Sequence, residues 1–256
     1  MKTFDNKLVI SIVSHGHANV LVDLLNDLEK HYDMSSSNWE VVLTHNILEN
    51  FVLPDISFPT KQLWNLRPRG FSSNHNRAFE TAEGDFFLIL NPDVKLPRNI
   101  IPELLEFVDS HPGSLVGPMV YSSSGKLEAS ARAFPSLWII FKKFFGWNDM
   151  LIRHNKNIIE VPWIAGMFQL TKAVDFYEIG GLDESFILYY EDADLCGRFW
   201  KNGKKVYQLG HLSIIHDAQR TSHKNLKYLI WHLQSLIRFL IRRKDYIITF
   251  NRHSRN

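Results

Sequence analysis

The chain has 256 residues, 45% hydrophobic and 22% charged, with a net charge of +2, which suits one large α/β domain or a domain with a short appendage and excludes a disordered chain. A lone cysteine, Cys196, excludes an internal disulfide and reads most simply as a small buried apolar residue. Charge is uneven: Gln219 to Asn256 carries nine Lys/Arg against one acid, Asp245, leaving twenty bases against twenty-six acids elsewhere, so the tail is suited to a polyanionic surface, lipid or nucleic acid.

Met1 to Lys7 is polar and shows no signal-peptide pattern. Leu8 to Val13 is a β-branched run that predicts a buried strand ending in the loop Ser14-His15-Gly16-His17. Asn19 to Lys30 places Val20, Leu21, Leu24, Leu25 and Leu28 on one helical face. Glu40 to Thr44 predicts a second strand, Asn74 to Ala82 a helix, and Asp85 to Leu90 a third strand stopped by Asn91-Pro92. Ile100 to Ser110 predicts a helix and Leu115 to Tyr121 a strand, followed by a polar loop from Ser122 to Arg132. Alternating strands and helices predict an α/β fold with a parallel-rich sheet and helices on both faces. Ligands bind such sheets at the carboxyl ends of the strands, so Ser14–His17, Thr44–Asn46 and Asn91–Asp93 are expected to line one crevice.

Phe134 to Trp147 is aromatic and apolar, but Lys142 and Lys143 interrupt it; Leu226 to Ile241 is interrupted by His232, Gln234 and Arg238. Neither reads as a membrane span. Tyr189 to Asn202 predicts a helix, and Asn225 to Lys244 an amphipathic basic one. No repeat or low-complexity linker divides the chain. The expected organisation is a main domain over 1–222 and a basic helix and tail over 223–256.

Several clusters could carry chemistry. A strand delivering Asn91-Pro92-Asp93 sets one carboxylate at the lip of the sheet, which suits Mg2+ or Mn2+ held jointly with substrate phosphates; an ordinary strand-ending turn explains the same residues. Glu191, Asp192 and Asp194 open a helix. Dipole complementation accounts for such acids, and Asp194 can pair with Arg198 one turn on, yet clustered carboxylates also raise each other's pKa, as a general base requires. Asn65 to Asn76 contains a glycine turn leading into a helix, which fits a phosphate or sugar site or a plain capped helix. His211 and His216 flank the β-like run Leu212 to Ile215; His216, followed by Asp217, Arg220 and Ser222, is the better candidate for diphosphate or metal contact.

Taken in order, Asn91-Pro92-Asp93, Pro162-Trp163-Ile164-Ala165-Gly166-Met167-Phe168, Gly180-Gly181-Leu182-Asp183-Glu184 and Tyr190-Glu191-Asp192-Ala193-Asp194-Leu195-Cys196 resemble glycosyltransferase family 2, the inverting enzymes of GT-A fold, and within it the bacterial rhamnosyltransferases of O-antigen synthesis. The resemblance runs from about Leu8 to Ser222. It implies a Rossmann-like, mixed but mostly parallel sheet, with Asp93 and His216 at a Mg2+ or Mn2+ ion and Asp192 as catalytic base. It implies a nucleotide-sugar site drawn from Ser14, His15, Asn46, Gly70, Asn74, Asn76, Asn91, Trp163, Gly166, Glu191 and Arg220. Relatives often carry Asp-Asn after the second strand, the Asp reading the pyrimidine base; here the residues are His45-Asn46, so the family pattern does not name the donor base.

The function expected is inverting transfer of a sugar, rhamnose from dTDP-rhamnose, to a hydroxyl of a lipid-diphosphate-linked saccharide. A UDP-sugar donor and a non-catalytic glycan-binding protein remain the alternatives. The stripe Leu226, Leu229, Ile230, Leu233, Ile237 and Leu240, with Lys227, Arg238, Arg242, Arg243 and Lys244, fits either an interfacial helix on an anionic membrane or a core-packing helix with a basic end. The aromatic segment around Trp138, Phe141, Phe144 and Trp147 could add to membrane contact. These features imply a cytoplasmic protein peripheral on the inner membrane face, with no nucleic-acid partner.

Overall fold

A computed structural model describes residues 7–35, 37–136, 151–152, 154–216 and 226–253, with side chains in the last segment described for 229–251. The aromatic residues Trp138, Phe141, Phe144 and Trp147, together with Asp217, Arg220 and Ser222, lie outside the described residues.

The chain begins with strand β1 (Leu8–Ser14), helix α1 (Ala18–His31), strands β2 (Trp39–His45) and β3 (Thr60–Trp64), helix α2 (Phe71–Thr81), strands β4 (Phe86–Leu90) and β5 (Val94–Lys95), helix α3 (Ile101–Ser110) and strand β6 (Ser114–Tyr121). It continues with β7 (Ala131–Arg132), β8 (Ile158–Glu160), β9 (Trp163–Ile164), β10 (Phe168–Lys172), α4 (Ala173–Glu178), α5 (Glu191–Lys201), β11 (Lys205–His216) and α6 (Leu226–His253).

The main sheet runs β3-β2-β1-β4-β10-β6-β11-β5, with β8 against β11. β3, β2, β1 and β4 are mutually parallel, and β10 enters antiparallel between β4 and β6. This is the mixed, mostly parallel sheet expected. The central strands are buried on both faces, so their sequences read as continuous apolar runs rather than alternations. On one face Ile10, Ile12 and Leu88 pack with Leu21, Leu24, Leu25 and Leu28 of α1 and with Leu104 and Val108 of α3. On the other, Val9, Phe87 and Ile89 pack with Ala78 of α2, Phe176 of α4, Leu195 and Phe199 of α5, and Phe239 and Tyr246 of α6. Cys196 is buried there and carries no disulfide.

Two departures from the sequence reading matter for the site. Tyr189 and Tyr190 do not join the helix; both have positive φ, 71° and 66°, and α5 starts at Glu191. Helix α6 lays one face on α5: Phe239 and Tyr246 are buried, and Tyr246 lies so close to Gly197 that a Cβ there would fall 2.2 Å from its ring. The opposite face stays exposed at Leu229, Ile230, Leu233, Ile237 and Ile241. The core-packing reading of this helix therefore holds for one of its faces. Among the described residues no helix is long and apolar enough to cross a membrane.

Candidate active site

β1, β2 and β4 lie side by side and parallel, so their carboxyl ends open on the same edge of the sheet. Asn46 joins the loops there. Its backbone N–H donates to Ser14 O (2.8 Å), its side-chain amide to Arg69 O (2.9 Å), and its Oδ1 accepts from Arg69 N (2.8 Å) and Asn65 Nδ2 (3.0 Å). Asn46 Nδ2 also lies 3.0 Å from His15 Nδ1. Ser14 Oγ accepts from His17 N at 3.2 Å. Asn74 is buried and accepts from Asn65 Nδ2 at 2.7 Å. His45, in the place where relatives often carry the base-reading acid, is buried with both ring nitrogens engaged, Nδ1 2.9 Å from Glu49 Oε1 and Nε2 3.0 Å from Gln62 Oε1, and it stacks on Trp64 at 3.8 Å.

Gly70 sits where a Cβ would meet Ile187 O at 3.0 Å, so the turn before α2 passes tightly under the segment leading to α5. Asn76 makes the same connection from within α2. It donates to Leu182 O (2.8 Å) and Glu184 Oε1 (3.1 Å) and accepts from Leu182 N (2.9 Å). Its amide thus bonds to Leu182 and Glu184, just after the Gly180-Gly181 turn; the resemblance placed this residue near the nucleotide.

The antiparallel register of β5 and β11 sets His216 opposite Val94. Asp93, one residue earlier, thereby comes within 3.3 Å of His216 Nε2 through its Oδ1. That separation is an ion-pair distance, but Oδ1 is buried and has no hydrogen-bond partner. The other ring nitrogen, Nδ1, lies 3.1 Å from Glu128 Oε2. Burial opposes a charge on His216, but Asp93 and Glu128 outweigh it and hold its pKa above the ordinary value. One orphaned carboxylate oxygen, one imidazole nitrogen and a carboxylate steadying the far side of the ring form a donor set that fits Mg2+ or Mn2+. Among the described residues no three His, Cys, Asp or Glu side chains are grouped as a metal cage, so these groups would supply only part of a coordination shell. Glu128 was not anticipated; it lies in the polar segment read as a loop, and only the return of β11 brings His216 to it.

Asp192 occupies the first turn of α5. Its Oδ2 accepts from Gly166 N at 2.9 Å and its Oδ1 from Ala193 N at 2.8 Å, which fixes the carboxylate by two backbone donors. The next residue after Gly166, Met167, accepts from Asn91 N at 3.0 Å. The Asn91–Asp93 turn and the Asp192 carboxylate are thus tied to one short loop. Glu191 is buried, and its Oε2 has no partner. Burial pushes Glu191 well above the usual carboxylate range, and the neighbouring Asp192 charge adds to this. Burial also raises Asp192, while the Arg132 charge and the two backbone donors pull it back. Two adjacent acids with unequal environments separate into a protonated and an ionised member, and Asp192 is the better-supported anion.

Asp194 points elsewhere. It accepts from Arg198 Nε (2.7 Å), Arg242 Nη1 (3.1 Å) and Tyr246 Oη (2.7 Å), joining α5 to α6. The pairing with Arg198 is the one its spacing suggested.

A pocket of about 140 Å³ opens beside Asp192, lined by Arg132, Trp163, Tyr189, Tyr190, Glu191, Asp192 and His232. Pairing of β7 with β9 sets Arg132 opposite Trp163, with the guanidinium carbon 4.8 Å above the indole. From α6, His232 Nε2 reaches within 3.3 Å of Tyr190 Oη. The left-handed Tyr189-Tyr190 pair costs about 1–3 kcal/mol per residue, strain of a kind found at functional sites. Arg132 and His232 were missed because neither short-strand pairing nor helix docking is written in local sequence.

The sequence profile of Glycosyl transferase family 2 matches residues 10–194. Rhamnosyltransferase WbbL of Escherichia coli (strain K12) is 27% identical over 252 residues, covering 92% of this chain and 93% of that protein. The N-acetylglucosaminyl-diphospho-decaprenol L-rhamnosyltransferase of Mycobacterium tuberculosis (strain ATCC 25618 / H37Rv) is 29% identical over 168 residues, 61% of this chain and 55% of that protein. Among solved structures, GalNAc-T7 with UDP, GalNAc and Mn2+ aligns with a TM-score of 0.67 at 15% identity, over 86% of this chain and 45% of that one. The mannosyltransferase PcManGT of Pyrobaculum calidifontis with GDP-Man and Mn2+ aligns at 0.59, also at 15% identity, over 92% and 65%. These structural likenesses speak to the GT-A fold. With the family match spanning most of the chain, the protein belongs to glycosyl transferase family 2 and is a glycosyltransferase.

Proposed function

We propose that the chain transfers rhamnose from dTDP-rhamnose to a hydroxyl of a lipid-diphosphate-linked saccharide, with inversion, in the synthesis of a bacterial surface polysaccharide such as O-antigen. The observation that carries the reading is the loop Gly166-Met167, which holds the Asp192 carboxylate by one backbone group and the Asn91–Asp93 turn by the next. Base and metal turn are then rigidly coupled, as in-line displacement requires. Nearly full-length likeness to the Escherichia coli rhamnosyltransferase supports the sugar, and the Mycobacterium tuberculosis relative's name supports a lipid-diphosphate acceptor.

In this reading Asp192, ionised, takes the proton of the acceptor hydroxyl as that oxygen attacks the anomeric carbon. Glu191 keeps its proton and leaves Asp192 as the base. Asp93 and His216 would hold Mg2+ or Mn2+, and the metal when bound neutralises charge growing on the leaving diphosphate. Ser14, His15, Asn46, Gly70, Asn74 and Asn91 border the donor crevice, and Trp163 and Gly166 stand between donor and acceptor. A UDP-sugar is the alternative donor, because His45 stands in place of the acid that reads the base in relatives.

Asp192→Asn should bind the nucleotide sugar normally yet lose transfer by about 10²–10⁴-fold. Transfer near the wild-type rate would reject Asp192 as the base, and transfer undiminished in excess EDTA would reject the metal role. Calorimetry with dTDP- and UDP-sugars in Mn2+ names the donor.

The exposed face of α6, with Ile237 60% and Ile241 79% accessible and Lys244 also exposed, supports peripheral attachment to an anionic inner membrane leaflet. Ile237→Glu with Ile241→Glu should abolish flotation with anionic vesicles while leaving the melting temperature within about 2 °C, since neither residue is buried. Unchanged flotation would remove the membrane from the proposal.

A further inference from the structure

Arg132, whose charge favours the ionised form of Asp192, also lines the pocket beside it. Its side chain is pinned at two points, by stacking over Trp163 and by donation from Nε to Ala129 O. Among the described residues its two terminal nitrogens donate to no group and it forms no salt bridge. The Asp192 charge acts on the guanidinium through space, but no hydrogen bond joins them; the two bonds to the carboxylate come from backbone amides. A guanidinium keeps its charge, and this one, partly buried on the pocket wall, has its terminal donors open to an anion. A planar fork with two free N–H edges matches a phosphoryl group better than a neutral hydroxyl.

The position of the fork selects which phosphate. Asp93, His216 and Asn91 do not line this pocket. Tyr190 and His232 of α6 meet on its wall, and the far face of that helix carries the exposed apolar stripe. An acceptor entering past α6 would pass Arg132 on its way to Asp192. We propose that Arg132 binds the phosphoryl group attached to the reacting sugar of the acceptor, so that a diphosphate-linked saccharide is selected over the same sugar on a neutral aglycone. This rests on the lipid-linked acceptor of the proposed function and adds the residue that recognises its charge.

Two probes with the same short alkyl chain test it: N-acetylglucosaminyl diphosphate-alkyl and the uncharged N-acetylglucosaminyl-alkyl glycoside, titrated calorimetrically into wild type, Arg132→Gln and Arg132→Lys. Wild type should bind the diphosphate probe at least tenfold more tightly. Arg132→Gln should bring that ratio close to one, and Arg132→Lys should keep part of it, because charge survives while the fork is lost. Circular dichroism melts show whether each variant is folded, and Arg132→Lys carries the test if Arg132→Gln is not. A wild type without preference for the charged probe overturns the proposal, as does a preference that survives in Arg132→Gln. Loss of nucleotide-sugar binding in folded variants also overturns it, since the guanidinium would then serve the donor. A charged-probe preference that depends on Arg132, in a protein that transfers no sugar to either probe, would sink the proposed function and leave the anion subsite standing.

Discussion

Gly166→Ala places a methyl group directly against the proposed base. The new Cβ would stand 3.2 Å from Asp192 Cβ and 3.6 Å from its Oδ2. Carbon atoms prefer roughly 3.5–4.0 Å, so Asp192 or the loop must retreat by a few tenths of an ångström. The Gly166 N–H bond to Oδ2, now 2.9 Å, would stretch towards or beyond the upper limit of about 3.2 Å. Overpacking of this kind costs about 1–3 kcal/mol of stability. A misplacement of about 1 Å costs about a hundredfold in rate, so this smaller shift should lower kcat/KM by about tenfold. The lost N–H favoured the ionised carboxylate, so the Asp192 pKa, already raised by burial, should rise further. Because the base works ionised, the acidic limb of the pH profile should move to higher pH. Release of nucleoside diphosphate across a pH series measures both effects, and calorimetry with the donor checks that binding persists. Activity within twofold of wild type at every pH, or an acidic limb displaced to lower pH, would refute the placement of Asp192 as the base positioned by Gly166.

Glu191→Gln should stabilise the fold at neutral pH. The folded-state pKa of Glu191 lies well above its ordinary 4.5 because of burial and then the Asp192 charge, so its favourable contribution is fully present below the ordinary range and is lost as pH rises through the raised value. Removing a penalty of about 1 kcal/mol should raise the melting temperature by about 2–4 °C at pH 8, with the gap closing near pH 4; an equal gap at both values would contradict a protonated Glu191. Gly197→Ala forces a Cβ to within 2.2 Å of Tyr246 Cδ2 and should cost about 1–3 kcal/mol in urea unfolding by prising α6 from α5. In the Tyr246→Ala background most of that cost should vanish, and strict additivity would show that the two helices do not meet there.

The local sequence determined the elements whose side-chain pattern is decided by their own neighbours. β1, β2 and β4 were legible because a strand buried on both faces must be continuously apolar, and α1 and α3 because one face of each meets the sheet. β3 was not legible: its residues Thr60, Lys61, Gln62, Leu63 and Trp64 form a polar edge strand. β10 was missed as a strand because its place between β4 and β6 is a pairing of distant segments. Of the candidate site, the identities of Asp93, Asp192 and His216 could be carried over from the family motifs, since the chemistry limits which residue types can occupy those positions.

Tertiary structure decided what surrounds them. The β5–β11 register brings His216 to Asp93, and the loop folded back from β6 brings Glu128 to the other side of the imidazole. It took docking of α6 to give Asp194 its partners and to place His232 on the pocket wall. Arg132 reaches the pocket only through the β7–β9 pairing. Contacts between residues far apart in the chain depend on the packing of whole elements, and no local pattern encodes them. The sequence by itself therefore determined the central sheet and which acids could do chemistry. The packing alone decided which acid is fixed by two backbone donors, which one joins two helices, and which cation faces the pocket.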